Sequence, residues 1–212
     1  KLDGFIKTLS EEILKLEPTC MLHPNIYAKY NEGKKELSAQ SGVTITADYK
    51  KDTNANTAKP SILKVSGADF LANTKLHTEV FGPFSVVVIC EDTAEMENIL
   101  NHLEGQLTGT ILGSEEDLEN NSGVVDALQS RVGRILFNGV PTGVEVNSSM
   151  VHGGPFPATT DPRFTSVGTS AIKRWVRPVS FQDWPNKLLP LALQNENPLK
   201  ITRLVEGEYT KN

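Results

Sequence analysis

The run Phe84-Ser85-Val86-Val87-Val88-Ile89-Cys90, dominated by β-branched side chains, constrains this chain more than any other feature. As a strand it has almost no polar face and must be covered on both sides, which is the environment of a parallel sheet flanked by helices. Asp92-Thr93-Ala94-Glu95 follows as a capping-box type of helix start, and Met96, Ile99, Leu100 and Leu103 form a helical stripe that stops at Gly105. A short strand over 107–112, a second capped start at Ser114 with Asp117, and a strand over 132–137 complete an alternation of strand and helix. At these lengths the alternation means right-handed βαβ crossovers. The fold class is therefore α/β, an open, mainly parallel sheet with flanking helices, followed by a C-terminal tail.

Upstream, Leu2, Phe5, Ile6, Leu9, Ile13 and Leu16 recur at three- and four-residue intervals before Pro18, which predicts an amphipathic helix over 1–17. That helix opens at Lys1 without a cap, so the chain is expected to be a piece of a longer protein. Pro24 in a first helical position, with Ile26, Tyr27, Tyr30 and Leu37, predicts a second helix ending at Ser41-Gly42. Val43, Ile45, Ala47 and Tyr49 alternate as a strand with one wet face, and residues 50–59 are expected to form an exposed loop. Beyond Asn138 the chain turns to Gly, Pro, Ser and Thr, the composition of long segments past strand ends where α/β proteins place ligands. A short helix over 165–174, a strand over 178–182, a small helix over 186–193 and a strand over 200–205 are expected after it.

The 212 residues carry a formal charge of −5, which argues against a phosphate-binding surface and hence against nucleic acid as a partner. No apolar stretch reaches the roughly 18–20 residues needed to cross a bilayer, and the amino terminus carries no signal pattern. With two cysteines in unlike contexts and no disulfide framework, a soluble, cytoplasmic protein is expected. The histidines, His23, His77, His102 and His152, show no metal-ligand spacing, so no metal site is expected. The glycines form neither of the usual phosphate loops, so any nucleotide must be held mainly by residues elsewhere.

Two segments are candidates for chemistry. Cys20, with His23 three residues on, is the one plausible thiol nucleophile, because Cys90 ends a buried strand; nothing nearby organises an oxyanion, which favours an incidental cysteine. In His77-Thr78-Glu79-Val80-Phe81-Gly82-Pro83 a carboxylate and an aromatic two residues apart precede a rigid Gly-Pro stop. On an extended segment Glu79 and Phe81 project to one side, where they could present an acceptor for sugar hydroxyls and a flat apolar face; a surface glutamate with a core phenylalanine fits equally well.

Glu79-Val80-Phe81-Gly82-Pro83 before an apolar strand resembles the E-x-F-G-P motif of the aldehyde dehydrogenase superfamily. The stretches from Phe137 to Val146, from His152 to Thr160 and from Arg163 to Gly168, with Arg177-Pro178-Val179 and Gln182-Asp183, are similar to its NADP-dependent α-ketoglutaric semialdehyde (2,5-dioxovalerate) dehydrogenase branch. The resemblance implies oxidation of the semialdehyde to 2-oxoglutarate through a cysteine thioester, with hydride passed to a nicotinamide. It implies that Glu79 holds the nicotinamide ribose hydroxyls and that Phe81 lies against ribose and ring. It also implies that the loop before Gly153-Gly154 lines the aldehyde route, making Val146, Ser148 and His152 substrate-binding candidates.

A semialdehyde with a carboxylate needs an anchor, which Arg163 supplies by bidentate pairing unless it pairs with Asp161 at the surface, with Phe156 as an apolar wall. The family's G-Q-x-C cysteine falls before the segment that residues 1–18 resemble, and its base glutamate, oxyanion asparagine and Rossmann half lie further upstream. No catalytic residue is therefore expected within the chain, and the isolated chain is expected to be inactive. Residues 1–168 are expected to form the catalytic-domain portion and 169–212 a tail for subunit or cofactor-domain contacts. The expected cofactor is NADP, with NAD left open, held largely by the absent amino-terminal part; the expected substrate is a small aldehyde, and the intact protein a homo-oligomer, dimer or tetramer. A non-catalytic binding or assembly module and a relative that reduces acyl phosphates are the alternatives.

Overall fold

A computed structural model describes residues 2–51, 54–141 and 143–211. Lys1 of the expected first helix, Asp52 and Thr53 of the expected loop, and Thr142 lie outside the described residues. The chain divides into two compact units, Lys1–Ala171 and Ile172–Asn212, where the sequence reading divides it at 168.

The first unit is built on a strand that the sequence pattern does not flag. In chain order it begins with α1 (Leu2–Ile13), α2 (Pro24–Ser38), β1 (Thr44–Asp48) and β2 (Ser61–Ser66). β2 is the centre of a three-stranded sheet, antiparallel to β1 and parallel to β3 (Phe84–Ile89). Ser61, Ile62, Leu63 and Val65 are all buried, Leu63 completely. Six residues with a lysine and two serines among them read from sequence as a weak element, yet flanking strands and helices remove nearly all of β2 from water.

The crossover from β2 to β3 is α3 (Gly67–Ala72) and a 3-10 turn at Thr74–His77. Ser66 caps α3 by accepting from the Asp69 amide at 3.1 Å, and Asn73 caps the turn by accepting from the Lys75 amide at 3.2 Å. Phe70 and Leu76 from this crossover join Leu37, Leu63, Val65 and Ile99 in the core, with Val86, Val88, Cys90 and Leu103 packed around them.

Then come α4 (Thr93–His102), capped by Asp92, β4 (Gln106–Ile111), α5 (Glu115–Asn120) with the full Ser114/Asp117 capping box, α6 (Ser122–Gln129) and β5 (Val132–Phe137). β4 and β5 pair in parallel. The strands, α4 and the Ser114 start agree with the sequence reading, but the one helix expected from Ser114 is divided at Asn121 into α5 and α6. α2 also agrees, with Pro24 at its start and His23 as its cap.

Several expectations are corrected. α1 stops at Ile13, followed by turn residues up to 16. The segment expected as an exposed loop over 50–59 ends buried at Thr57 and Ala58, because Cys20 bridges to Thr57 and the Ala58 amide donates to the Thr19 carbonyl at 3.1 Å. No α-helix spans 165–174: Thr165 gives its hydroxyl to backbone contacts and Gly168 has φ +85°, leaving only a 3-10 turn at Ala171–Trp175.

In the second unit, residues 178–182 form no strand, and 186–193 is two 3-10 turns, Asn186–Leu188 and Leu191–Leu193, separated at Pro190, which has no amide hydrogen to donate. The last expected strand shortens to β6 (Arg203–Val205), which turns back through Glu206 and Gly207, both at positive φ, to pair with β7 (Glu208–Thr210). No helix among the described residues is long and apolar enough to cross a membrane.

Leu63→Ala empties a site with no exposed surface and is expected to cost about 2–5 kcal/mol, read as a fall in the urea midpoint at unchanged slope. A Lys64→Ala change on the same strand, at a half-buried position, is expected to cost less than half of that.

Candidate functional site

The corner that carries Glu79 and Phe81 is fixed from below by Tyr30. This tyrosine on α2 is 1% exposed, and its hydroxyl donates to the Lys59 carbonyl at 2.6 Å and more weakly toward the Pro83 carbonyl at 3.3 Å. Burial pushes the phenol up to about 12, with the Asp48 carboxylate adding to the shift. Gly82 has φ +153°, a conformation that L side chains rarely adopt, and a Cβ there would sit 2.4 Å from the Tyr30 ring. The Pro83 carbonyl accepts from the Ser61 amide at 3.0 Å, so the corner leads straight into β3 beside the buried β2.

Asp48 is drawn upward by burial, but its bonds to Lys34, at 2.6 Å, and to Lys50 outweigh this and hold the carboxyl below its ordinary value.

Glu79 is exposed on the wall of a cleft of about 640 Å³ within the first unit. Thr74, His77 and Thr78 continue that wall, while His102, Gln106, Thr108 and the Pro157-Ala158 pair line other sides. His77 is stacked on Phe70 at 4.3 Å, with Nε2 2.9 Å from the Phe70 carbonyl, and His102 Nδ1 lies 2.7 Å from the Asn98 carbonyl. Phe81 is not among the lining residues; its ring stands 67% exposed.

The remaining candidates lie on the segment beyond β5, and backbone contacts seat that segment on the sheet. A Cβ on Gly105 would meet the Pro155 carbonyl at 2.0 Å, one on Gly133 the Gly153 carbonyl at 2.0 Å, and one on Gly154 the Gln106 carbonyl at 2.3 Å. Glycine is required there because two backbones touch. The Gly105 amide donates to the Phe156 carbonyl at 3.1 Å.

At the carboxyl ends of the strands, Asn138 accepts from the Gly113 amide at 2.9 Å and donates to its carbonyl at 2.7 Å, clamping β4 to β5. His152 is held through its backbone, its amide donating to the buried Thr165 hydroxyl at 2.9 Å and its carbonyl accepting from the Ser166 hydroxyl at 3.0 Å. Val146, Ser148 and Phe156 are exposed. Arg163 makes a bidentate pair with Asp161, at 2.9 and 2.6 Å, and its guanidinium lies 5.7 Å from the centre of the Phe164 ring.

Of the seven residues singled out from sequence, Glu79 alone lines the cleft, and Phe156 adjoins it through Pro157. The sequence reading missed His77 and His102 as cleft residues, and Tyr30, Arg134, Asn138 and Thr165 as the groups that hold the segments. Asn138 carried a signal, since an asparagine directly after a strand and before glycine favours positive φ, observed here at +49°. Cys20 is exposed and its neighbour His23 uses Nδ1 to cap α2, accepting from Asn25 at 3.1 Å, so this imidazole is committed to the helix start. The Cys90 thiol is pushed up by burial first and then by Glu95 and Asp92. No cluster of metal-ligating side chains occurs among the described residues.

Alpha-ketoglutaric semialdehyde dehydrogenase of Acinetobacter baylyi is 43% identical over 211 residues, 99% of this chain and 40% of that protein. Alpha-ketoglutaric semialdehyde dehydrogenase 2 of Azospirillum brasilense is 42% identical over 208 residues, 98% of this chain and 39% of that one. Nearly the whole chain is thus similar to one part of these dehydrogenases. It spans about two fifths of the length of these curated relatives.

Solved aldehyde dehydrogenases share its fold. A salicylaldehyde dehydrogenase from Pseudomonas putida, complexed with salicylaldehyde, matches 85% of this chain and 38% of its own at a TM-score of 0.60 and 19% identity. Betaine aldehyde dehydrogenase from Staphylococcus aureus, in complex with NAD+, matches 82% of this chain and 35% of its own at 0.59 and 16%. No family model matches the chain.

Gly82→Ala is expected to lose about 2–4 kcal/mol, because both the φ and the Tyr30 contact oppose a methyl group. The folded-state value of the Tyr30 phenol lies above its ordinary value near 10, so its contribution is fully present below pH 10 and is lost as the pH rises toward 12. Denaturation titrations across that window are expected to show the loss in the wild type and a smaller one in Tyr30→Phe.

Proposed function

We propose that this chain is part of an NAD(P)-dependent aldehyde dehydrogenase that oxidises 2-oxoglutarate semialdehyde to 2-oxoglutarate, and that it supplies one wall of the cofactor and substrate site. The observation that carries this reading is identity above 40% across nearly the whole chain to two alpha-ketoglutaric semialdehyde dehydrogenases. The nucleophilic cysteine and the base glutamate belong to sequence outside these residues, so the chain by itself is expected to be inactive. Removing such a nucleophile from a covalent mechanism costs many orders of magnitude in rate.

The residues present fit the nicotinamide ribose end of a dinucleotide. Glu79 offers an exposed carboxylate in an open cleft, the chemistry that accepts hydrogen bonds from a sugar diol, and Phe81 offers an uncovered ring face. When bound, the dinucleotide supplies the hydride acceptor. The chain's own part is to hold Glu79 at fixed height through the Tyr30-locked corner and to keep the loop beyond β5 seated on the sheet. NADP is the preferred form on resemblance to the semialdehyde branch.

Val146, Ser148 and His152 border the aldehyde route in this reading, with Phe156 as an apolar wall. Arg163 receives the substrate's distal carboxylate by exchanging its bond to Asp161, which is open to solvent on the arginine side. Residues 172–212 dock on the cofactor domain or on a second subunit of a cytoplasmic homo-oligomer. Their supporting feature is that, among the described residues, this unit buries no apolar side chain, leaving Trp175 80% and Tyr209 82% exposed. The same feature favours an assembly module as the second reading.

The deciding experiment compares nicotinamide reduction by this chain and by the chain extended upstream to its natural start, with 2-oxoglutarate semialdehyde and with NAD or NADP. Turnover in the extended form alone is expected; turnover in the short chain that Cys20→Ser abolishes would overturn the assignment, and none in either form would leave the assembly module. In the extended enzyme Arg163→Ala is expected to raise KM for the semialdehyde about tenfold or more while leaving KM for propanal unchanged.

A further inference from the structure

The loop between Asn138 and His152 carries Val146 and Ser148, yet its described residues form no strand or helix. Among the described residues, two hydrogen bonds from outside the loop reach its backbone. One is the Thr169 amide to the Asn147 carbonyl at 3.4 Å, close to the limit for such a bond. The other is charged and short: Arg134 Nη1 donates to the Gly143 carbonyl at 2.9 Å. The same nitrogen lies 3.5 Å from Met150 Sδ, so one guanidinium touches the loop near both ends.

Arg134 stands on β5 directly opposite Thr108 of β4, and Thr108 lines the cleft that Glu79 faces. Paired residues in neighbouring parallel strands point to the same side of the sheet. The arginine therefore rises from the cleft face of the β4–β5 pair and ties the loop to it. A lysine has one rotatable ammonium in place of a planar fork and holds a carbonyl less firmly at this reach.

We infer that Arg134 is the positioning residue of the aldehyde-facing loop, setting the height of Val146 and Ser148 over the β4–β5 face and thereby the fit of the semialdehyde. The inference rests on the functional reading above for its substrate side; the hold itself rests on geometry alone. Arg134 touches no reacting atom in this scheme and acts through the loop.

The test has two readouts. In the 212-residue chain, amide hydrogen exchange over residues 143–151 is expected to quicken about tenfold in Arg134→Met, with β4 and β5 amides unchanged and partial recovery in Arg134→Lys. In the chain extended upstream, Arg134→Met is expected to raise KM for the semialdehyde about tenfold with KM for the nicotinamide cofactor unmoved, and Arg134→Lys to restore part of it.

Unchanged exchange in the loop overturns the inference, as does faster exchange with an unchanged KM ratio. Faster exchange across β4 and β5 as well would make Arg134 a general structural residue and overturn it too. An extended wild type with no aldehyde turnover would defeat the parent reading and the substrate side together, while the exchange experiment would still decide whether Arg134 holds the loop.

Discussion

A strand with almost no solvent face must find hydrogen-bond partners on both edges and apolar neighbours on both sides, and β2 finds all of them. β1 and β3 pair with its edges, while α2, α3 and α4 contribute Leu37, Phe70 and Ile99 to the core that contains its Leu63 and Val65. Because β2 is buried, the crossover that leaves it and returns as β3 has little freedom, and that crossover delivers the Glu79 corner. Tyr30 completes the restraint by filling the space under Gly82 and bonding the carbonyls of Lys59 and Pro83. The exposed Glu79 thus stands beside a corner that the buried Tyr30 supports.

The segment beyond β5 is organised by a different physics. It buries few apolar groups and is held by backbone proximity and by single polar side chains: glycines where it touches Gly105 and Gly133, Asn138 across the strand ends, Arg134 on Gly143, and Thr165 with Ser166 on the backbone of His152. Polar tethers of this kind fix position without filling space, which leaves side chains such as Val146 and Phe156 exposed. The second unit takes the same approach further. Asn197 is almost fully buried and bonds the carbonyls of Ile201 and Lys211, and Arg203 bonds those of Gln194 and Asn195, so polar groups shape a segment whose apolar side chains remain exposed.

Much of this was legible beforehand where the pattern was local. The strand at the β-branched run of β3, the caps of α4 and α5, Pro24 at the start of α2 and the Gly-Pro corner each state their structure within a few residues, but β3 is a half-buried edge strand and not the strand covered on both sides that its composition predicts. The extended corner was legible in the same way, since Glu79 and Phe81 stand two residues apart just before Gly82-Pro83, yet of the two only Glu79 lines the cleft. Reading failed in the tail, where 178–182 looked extended but found no partner strand, and where Pro190 divided an apparent helix. Short apolar segments there have the composition of core elements without a core to join, so periodicity alone misassigns them.

Sequence by itself determined the α/β alternation, the resemblance to aldehyde dehydrogenases and the identity of the exposed carboxylate, because each depends on residue types within a short window. Tertiary structure alone decided that Ser61–Ser66 is the central strand, that Tyr30 supports the corner from a helix some fifty residues away in sequence, that His77 and His102 share a cleft with Glu79, and that Arg134 reaches the loop. The reason is that burial and hydrogen-bond partnership are properties of what lies across space. A lysine-bearing hexapeptide becomes a core strand only when two neighbours cover it, and an arginine becomes a tether only when a carbonyl returns within its reach.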